Sequence, residues 1–335
     1  MSPKEYFFKF SFLYNFLPVS FLMKLSRKRI IYPFYHFVKE NDDVITKHLY
    51  KAKNKEEFIR DLHFFKKHFK SISQKDLLSK ENYKKQFNFF LSFDDGLSNF
   101  YDVVMPILIK EKVFAINFIN TNFIDNKALF FRYKINLLIE RLSKKQLTKE
   151  EKNLVKKEIG SIVFNYGYLK ELKYVDTILI DKLCRCLSIN ISNFLEIDTP
   201  YLTKQQIKIL IEKGFYVGGH SKSHPYYLEL SLKDQLEETL ESVNFLKKTF
   251  NIDKLFFSFP FSDNGVSSDF FKETKKKNIL TFGTAGIKDE VTEINNIQRI
   301  PMEYNTVYTA ETIVKGELIL YFIKRLLDKH IIKRK

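Results

Sequence analysis

The stretch NFFLSFDDGLSN, residues 88–99, decides the fold that we expect for this chain. Its first half is almost wholly apolar, which is typical of a strand buried on both faces of a parallel sheet. Asp94 and Asp95 end the run, and Gly96 lets the backbone turn directly after them. Two adjacent carboxylates are costly to bury without a cation. The stretch therefore predicts a strand with a positive partner at its end, although Asp-Asp-Gly is also an ordinary turn sequence.

The apolar run of this stretch, residues 87–93, is one of seven that predict buried strands; the others lie at 29–38, 113–120, 215–219, 255–261, 279–284 and 297–302. Between the runs, apolar residues recur at spacings of three and four. This pattern predicts helices over 56–69, 97–112, 203–213, 232–250, 266–276 and 311–329, with Thr203 as an N-cap. Strands that alternate with helices indicate an α/β fold. We expect a deformed (β/α)7-type barrel with its working residues at the C-terminal strand ends.

The 335-residue chain is longer than one barrel needs. Residues 132–200 interrupt the alternation with charge-rich helical sequence, so we expect a helical subdomain inserted into a barrel that spans residues 30–305. Residues 1–29 and 306–335 are then an N-terminal apolar and basic segment and a basic C-terminal helix. The insertion either caps the active-site mouth or has a purely structural role.

The bulk composition limits the partners and the compartment that we expect. The formal net charge is +16, but lysine is spread along the whole chain, so we do not expect a nucleic-acid site. Cys184 and Cys186 lie two residues apart in a predicted helix and point to different faces, which excludes a zinc half-site and a structural disulfide. A reducing, cytoplasmic location is therefore expected.

The N-terminus contains an uncharged apolar run over residues 10–23, broken by Pro18 and followed by basic residues from 24 to 29. The run is too short to span a bilayer and has no secretory cleavage pattern. It is either a helix that docks on the protein or a segment that contacts the inner membrane surface, together with the basic C-terminal helix.

A second group of polar side chains lies in FYVGGHSKSHPYY, residues 215–227. His220 and His224 follow a predicted strand and a glycine pair, and Pro225 closes the loop. Imidazole with carboxylate is a ligand set suited to zinc and similar ions. The histidine pair alone is weak evidence, but together with a carboxylate pair at another strand end it predicts a metal site.

A third stretch, LFFSFPFSDNGV at residues 255–266, is a predicted strand that ends at Pro260. The proline leaves the following amide, that of Phe261, without a partner in the sheet, so this N–H can point at a reacting oxygen. Taken by itself, however, the segment is better explained as a plain strand end.

The order of these motifs resembles the polysaccharide deacetylase family, also known as carbohydrate esterase family 4 or the NodB-homology domain. The first family motif, T/S-F-D-D-G, matches residues 92–96, and the second, H-S/T-x-x-H, matches residues 220–224. The third, R-x-P-Y/F, matches only in Pro260 and Phe261, because Ser258 stands at the arginine position. The resemblance covers roughly residues 30–305.

The segment IIYPFYHFV, residues 30–38, adds a resemblance to the rearranged deacetylases of biofilm poly-N-acetylglucosamine, which open with a Y-H-x-V strand. The late L-x-H motif that supplies the general acid in other members has no clear equivalent here. His330 lies in the basic C-terminal helix, where we expect it to be exposed. We therefore assign the acid to His36, with a structural core histidine as the alternative.

Near the last predicted strand, NIQRIPMEYN at residues 296–305 contributes Arg299 and Glu303. With Ser258 at the arginine position, Arg299 can instead hold the catalytic carboxylate ionised and oriented. An ordinary surface pair with Glu303 is the alternative.

The resemblance implies a metal-dependent N-deacetylase acting on an amino sugar in a glycan or a glycan precursor. Its divalent ion is expected to be zinc, with cobalt, nickel, manganese or iron as alternatives, held by Asp95, His220 and His224. Asp94 would then be the base that accepts a proton from the attacking water, and the Phe261 amide would stabilise the oxyanion.

Substrate contacts are expected from Pro260 and from aromatic side chains that can stack on sugar faces, namely Tyr226, Tyr227 and Tyr201. Two other functions remain open at this point. One is a non-catalytic glycan-binding or assembly protein built on a deacetylase scaffold. The other is a hydrolase of a different non-peptide C–N bond, since the metal, base and oxyanion donor would be shared.

Overall fold

The central sheet of the computed structural model, which describes residues 3–39, 45–79, 86–293 and 295–334, has eight parallel strands. In chain order they are β1 Pro33–Tyr35, β2 Leu91–Phe93, β3 Ala115–Ile119, β4 Tyr216–Gly219, β5 Leu255–Ser258, β6 Ile279–Gly283, β7 Asn296–Gln298 and β8 Ile300–Pro301. The spatial order is β7-β6-β5-β4-β3-β2-β1-β8. Each run predicted as a strand contributes to this sheet, so the α/β fold is confirmed.

The two edges of this sheet meet at Arg299. β7 and β8 lie at opposite edges, yet Arg299 alone separates them in the chain. Its N–H donates to the carbonyl of Gly283 at 3.1 Å, and the N–H of Ile300 donates to the carbonyl of Tyr32 at 2.8 Å. The chain thus crosses from one edge to the other, which nearly closes the sheet into a barrel. For this reason the single strand predicted over 297–302 is divided in two.

Two other predicted strands are interrupted near their middle. Ile30–Ile31 precedes β1 and Asn88–Phe89 precedes β2, and both join Lys70–Ser71 in a separate three-stranded parallel sheet. The remaining short strands form two parallel pairs, Val38–Lys39 with Lys53–Asn54 and Asp289–Glu290 with Ile331–Ile332.

The helices largely follow the apolar periodicity, and several begin at capping residues. They are Pro3–Lys9, Val19–Ser26, Lys55–His68, Gln74–Ser79, Met105–Glu111, Phe131–Lys144, Lys149–Ile159, Tyr166–Glu171, Thr177–Cys186, Ile191–Asp198, Lys204–Glu212, Leu232–Phe250, Ser268–Lys276 and Ala310–Leu326. Thr203 forms a capping box with Gln206, as the sequence predicts for an N-cap. None of the helices within the described ranges is long and apolar enough to cross a bilayer.

The helix predicted over 97–112 begins later than expected, with a π-helical turn at Phe100–Val104. The residues before it are bonded elsewhere. Ser98 N–H donates to Pro200 O at 2.8 Å, and Leu202 N–H donates to Gly96 O at 2.9 Å. These bonds tie the loop after β2 to the segment that leads into the helix Lys204–Glu212.

Five helices between Phe131 and Asp198 lie between β3 and β4 in the chain and share an apolar cluster of their own. Leu138, Leu183 and Cys184 are fully buried in this cluster, and Tyr201 from the segment before β4 packs into it. Both cysteines are free thiols. The helical segment is thus packed against the loops at one end of the barrel.

Candidate active site

The two aspartates, the two histidines and Phe261 of the three motifs stand on loops that directly follow β2, β4 and β5, so they converge at the carboxyl ends of strands of one parallel sheet. Four residues of these loops have left-handed backbone conformations, which are rare for residues other than glycine: Asp95 at φ 73°, Ser221 at 65°, His224 at 61° and Phe261 at 56°. Such strained conformations cluster at functional sites and persist only where the surrounding structure enforces them.

Two glycines allow the close packing that holds these loops. Gly96 has a φ of 63°, and a Cβ there would lie 3.0 Å from Cγ2 of Ile119. A Cβ on Gly219 would lie 2.7 Å from Oγ of Ser242, so only glycine lets the helix Leu232–Phe250 approach β4 this closely. His220 follows Gly219 directly, and its position is fixed by this contact.

Three buried side chains offer ligand atoms to one point. Nε2 of His220 lies 3.4 Å and Nε2 of His224 lies 3.1 Å from the same oxygen of Asp95, Oδ1. The three ligand atoms lie within 4.8 Å of one another. Oδ1 of Asp95 is buried, and the described residues give it no hydrogen-bond donor. A buried carboxylate oxygen that two imidazole nitrogens face fits a zinc-type cation.

The ligand side chains are oriented by a second set of contacts. Nδ1 of His220 lies 2.8 Å from the carbonyl oxygen of Ser258, an acceptor, so Nδ1 carries the proton and Nε2 presents its lone pair. The hydroxyl of Tyr133, in the helix Phe131–Lys144, donates to Oδ2 of Asp95 at 3.0 Å. The inter-strand helical segment therefore takes part in building the site.

Electrostatics keep Asp95 ionised. Burial by itself raises the pKa of this carboxyl group, but the positive charge that His224 carries when protonated outweighs burial and holds the pKa well below its ordinary value. Asp95 is thus a carboxylate before any cation binds.

The partner of Asp94 is Arg299. Its guanidinium donates to both carboxylate oxygens, at 2.7 Å from Nη1 and 2.8 Å from Nη2, and Nη1 also donates to Oγ of Ser92 at 3.0 Å. Arg299 is fully buried and lies over the ring of Phe34, with 4.2 Å between Cζ and the ring centroid. The contact is thus the one that we expected, and not a surface pair with Glu303.

Ser258, at the position where the family has arginine, belongs to the same network. Its hydroxyl donates to Oδ2 of Asp94 at 3.3 Å and accepts from Nη2 of Arg299. Burial raises the pKa of Asp94, but the charge of Arg299 outweighs burial and lowers the pKa below the ordinary value. Asp94 is therefore ionised and held in a fixed orientation.

His36 is bound by Glu303 through both its ring and its backbone. Nδ1 lies 2.6 Å from Oε2 of Glu303, which also accepts from the backbone N–H of His36 at 2.8 Å. Burial lowers the pKa of His36, but the charge of Glu303 outweighs it and raises the pKa to about 9. The side chain is 26% exposed, so it is open to a ligand. At neutral pH His36 is protonated.

One cavity of about 380 Å³ brings these groups together. Its lining residues are Phe34, His36, Leu49, Tyr50, Asp94, Asp95, Phe130, Arg132, His220, His224, Phe259, Phe261, Thr284 and Pro301. The proposed base, the proposed metal ligands and the proposed acid therefore face one space.

Phe261 lies at the edge of this cavity and is 41% exposed. Its ring centroid is 4.7 Å from that of His224. Among the backbone hydrogen bonds of the described residues, none uses the Phe261 amide. Pro260 is buried and is not among the residues that line this cavity or the next one described, so its contact with substrate stays a prediction.

Tyr226 lines a second cavity of about 360 Å³, whose other lining residues are Phe131, Arg132, Lys173, Tyr174, Glu229, Phe261 and Ser262. Arg132 and Phe261 line both cavities. Tyr201 and Tyr227 were expected to stack on sugar faces. This expectation is wrong, because both side chains are buried. Their hydroxyl groups bond inside the protein, to the N–H of Phe130 and to Oγ1 of Thr239.

Contrary to our expectation, the side chain of His330 is mostly shielded from solvent. Its side chain is 15% exposed, and its Nε2 lies 3.9 Å from Oδ2 of Asp289. It does not line the cavity that holds the Asp-Asp pair.

Sequence reasoning missed Tyr133, and it assigned no role to Glu303 beyond a pair with Arg299. Tyr133 lies in a helix outside the family motifs, and no local pattern marks a tyrosine that reaches a carboxylate 38 positions away. The position of Glu303 was a weak indication of a role in the site, because an acidic residue near the end of the last strand can face the barrel mouth.

Comparison with known proteins supports the same family. The sequence model of the polysaccharide deacetylases matches residues 81–280. No curated protein sequence is significantly similar to the chain. Among solved structures, the fold is similar to those of the Streptococcus pyogenes deacetylase PplD in complex with acetate (TM-score 0.53, 17% identity, 86% of this chain and 97% of that one) and IcaB from Ammonifex degensii (0.52, 12%, 86% and 97%). It is also similar to a polysaccharide deacetylase from Bacillus cereus (0.54, 14%, 86% and 68%).

Proposed function

Since the chain belongs to the polysaccharide deacetylase family, we propose that it removes N-acetyl groups from an amino sugar in a glycan or a glycan precursor by metal-dependent hydrolysis. The observation that carries the proposal is the geometry around Asp95, whose unpaired buried oxygen faces Nε2 of both His220 and His224. Zinc suits this donor set best, with cobalt, nickel, manganese and iron as alternatives.

A cation bound there supplies Lewis-acid polarisation of the acetyl carbonyl and lowers the pKa of water. The protein supplies the proton transfers. Asp94, ionised and fixed by two bonds from Arg299, accepts a proton from the water as its oxygen bonds to the carbonyl carbon. Oδ2 of Asp94 accepts from both Arg299 and Ser258, whereas Oδ1 accepts only from Arg299 and so keeps a lone pair for this transfer.

The remaining steps use Phe261 and His36. The unpaired Phe261 amide donates to the carbonyl oxygen as negative charge develops there. When the C–N bond breaks, the amine nitrogen takes a proton from the ring of His36, which the elevated pKa keeps protonated at neutral pH. The products are acetate and a free amino sugar.

The shape of the site favours a glycan over a small cyclic amide. The cavity that contains Asp94 and Asp95 adjoins the cavity beside Tyr226, because Arg132 and Phe261 belong to the walls of both. Two adjacent spaces of similar volume suit an acetylated sugar with a neighbouring residue, and the second is lined by aromatic rings that can stack on it.

Acetate release from N-acetylated chitooligosaccharides, measured with each of the five metals, tests the proposal. We expect activity that a chelator abolishes and that His220→Ala lacks. A wild-type protein that binds these oligosaccharides but releases no acetate with any metal would instead support the non-catalytic glycan-binding alternative. Release of product only from small cyclic amides would support the other hydrolase.

A further inference from the structure

The N-terminal segment presents an unusual number of apolar side chains to solvent. Within residues 6–21, six of them are at least half exposed: Tyr6 57%, Phe10 53%, Phe12 70%, Leu13 61%, Phe16 76% and Phe21 51%. We refer to these six residues as the N-terminal apolar surface. Single exposed apolar residues are ordinary, but a group this dense indicates an interaction site.

The segment that carries this surface is firmly attached to the protein. Phe8, Leu22 and Met23 are buried in the main core. A Cβ on Gly316, in the helix Ala310–Leu326, would lie 2.6 Å from the ring of Phe8, so the two helices are in close contact. Nζ of Lys4 also pairs with Glu317 at 2.5 Å. The buried faces fix the segment, and the exposed rings are therefore held outward.

The C-terminal helix extends the apolar character of this region. The helix Val19–Ser26 packs along Ala310–Leu326. At the end of that helix, Leu326 is 70% and Leu327 59% exposed, and Ile323 is 40% exposed. Apolar side chains from both ends of the chain thus reach solvent on elements that pack together.

Positive charge surrounds these apolar groups. Lys9, Lys24, Arg27 and Arg29 are exposed. The one acidic residue in positions 3–29 is Glu5, which is buried and accepts from the N–H of Asn305, so it does not offset these charges at the surface.

The second group of cations lies at the C-terminal helix. Nζ of Lys28 lies 4.6 Å from the ring centroid of Tyr321 and pairs with Oδ1 of Asp289 at 2.5 Å. Burial lowers the pKa of Lys324, the charge of Lys4 lowers it further, the charge of Glu317 raises it, and the charge of Lys288 lowers it.

We propose that the N-terminal apolar surface docks the protein on an anionic lipid bilayer. Exposed aromatic rings bordered by lysine and arginine fit the boundary between acyl chains and negatively charged headgroups. The positive border does not fit a second copy of the same surface, because the two borders would repel each other. Docking is peripheral, since no helix in the described ranges can cross the bilayer.

Vesicle flotation of the full-length protein tests the proposal without depending on deacetylase activity. The probes are vesicles of phosphatidylcholine alone and of phosphatidylcholine with an equimolar amount of phosphatidylglycerol. We expect binding to the anionic vesicles that salt weakens. Phe12→Ser with Phe16→Ser should reduce the partition coefficient about tenfold or more, and Lys9→Glu with Lys24→Glu about fivefold per lysine.

Matched controls lie in the helical segment between β3 and β4. Val175 and Ile197 are 80% and 71% exposed, so Val175→Ser with Ile197→Ser removes similar exposed apolar groups elsewhere. Lys145→Glu with Lys152→Glu is the corresponding charge control. Unchanged binding of the Phe12/Phe16 variant, or an equal loss in the controls, would overturn the proposal. Self-association that the same variant abolishes, in a protein that binds neither vesicle, would also overturn it and would show that the surface contacts a second copy.

Discussion

Glu303 holds His36 at two points, because its Oε2 accepts from the backbone N–H at 2.8 Å and lies 2.6 Å from ring Nδ1. The carboxylate is 2% exposed, and its charge therefore acts on the imidazole with little screening by solvent. In the proposed mechanism, this contact keeps the acid protonated and its Nε2–H free for the leaving amine.

The first prediction concerns the alkaline limb of the pH–rate profile. His36 has its pKa raised from 6.5 to about 9, so its protonated form is lost as pH rises through that value. The charge of a bound cation lowers the pKa of His36. We therefore expect the alkaline limb of kcat at or below about pH 9. Glu303→Gln removes the charge and should move the limb down toward pH 6.5. An unchanged limb in this variant would exclude His36 as the acid.

The same titration affects stability with a defined sign. The contribution of the His36–Glu303 pair is fully present below pH 6.5 and is lost as pH rises through about 9, because the folded pKa is the higher one. We expect urea unfolding across this pH range to show that the free energies of unfolding of wild type and Glu303→Gln become more similar at alkaline pH.

A second prediction separates the roles of the two adjacent aspartates. Asp94→Asn should retain the metal and lose about a hundredfold to ten-thousandfold in kcat, because the variant has no base. Asp95→Asn should lose metal affinity as well. Metal content after dialysis, measured together with acetate release, checks both variants. Loss of metal from Asp94→Asn alone would show that the two roles are exchanged.

A third prediction concerns the buried pair of Asp94 and Arg299. Arg299→Ala leaves the Asp94 carboxylate buried without its partner, which should cost about 3–5 kcal/mol of unfolding free energy. Arg141→Ala, which removes a partly exposed pair with Glu151, is the control and should cost much less, because solvent screens such a pair.

Arg299→Ala should also change the acid limb of activity. With Arg299 in place the pKa of Asp94 lies below its ordinary value, and in the variant burial acts without that compensation and raises it. The acid limb should therefore move to higher pH. A variant with wild-type activity and stability would show that the contact has no role.

A fourth prediction tests the link between the helical segment and the metal site. Tyr133→Phe removes the hydroxyl that donates to Oδ2 of Asp95 and should weaken zinc binding about 10- to 100-fold. Calorimetric titration with zinc measures the effect. Tyr166→Phe, at an exposed position of the same segment, should bind zinc like wild type. Equal zinc affinity of Tyr133→Phe and Tyr166→Phe would mean that Tyr133 contributes only to packing.

A fifth prediction uses metal removal. Ligand binding at a hundredfold excess over Kd stabilises the folded state by about 2.7 kcal/mol. Zinc should accordingly raise the unfolding midpoint of wild type, and a chelator should reverse the rise. The double variant His220→Ala with His224→Ala should show no rise. His63→Ala, which changes an exposed histidine, should respond like wild type.

The barrel and the convergence of the proposed metal ligands could be predicted from sequence because each motif lies at the end of an apolar run. Parallel strands place their carboxyl ends at one edge, so Asp95 and His220 were expected to meet although 125 positions separate them. The Arg299–Asp94 contact followed from the serine at position 258, which left the carboxylate without its usual cation.

Other features depend on tertiary geometry that no local pattern contains. The division of the last strand around Arg299 arises because the chain changes sheet edges there. Tyr201 and Tyr227 looked available for stacking, but composition does not show which of 18 tyrosines are buried. The left-handed conformations of Asp95 and His224 are equally invisible, since both residue types usually have negative φ.

Arg299 joins the two edges of the central sheet through its backbone, and its side chain reaches across the interior to Asp94. The closure of the barrel and the orientation of the proposed proton acceptor thus depend on one residue. Any fluctuation that separates β7 from β8 also moves the Arg299 guanidinium away from the Asp94 carboxylate. Thermal inactivation should consequently coincide with the separation of β7 from β8, and no partly opened form of the barrel should retain catalytic activity.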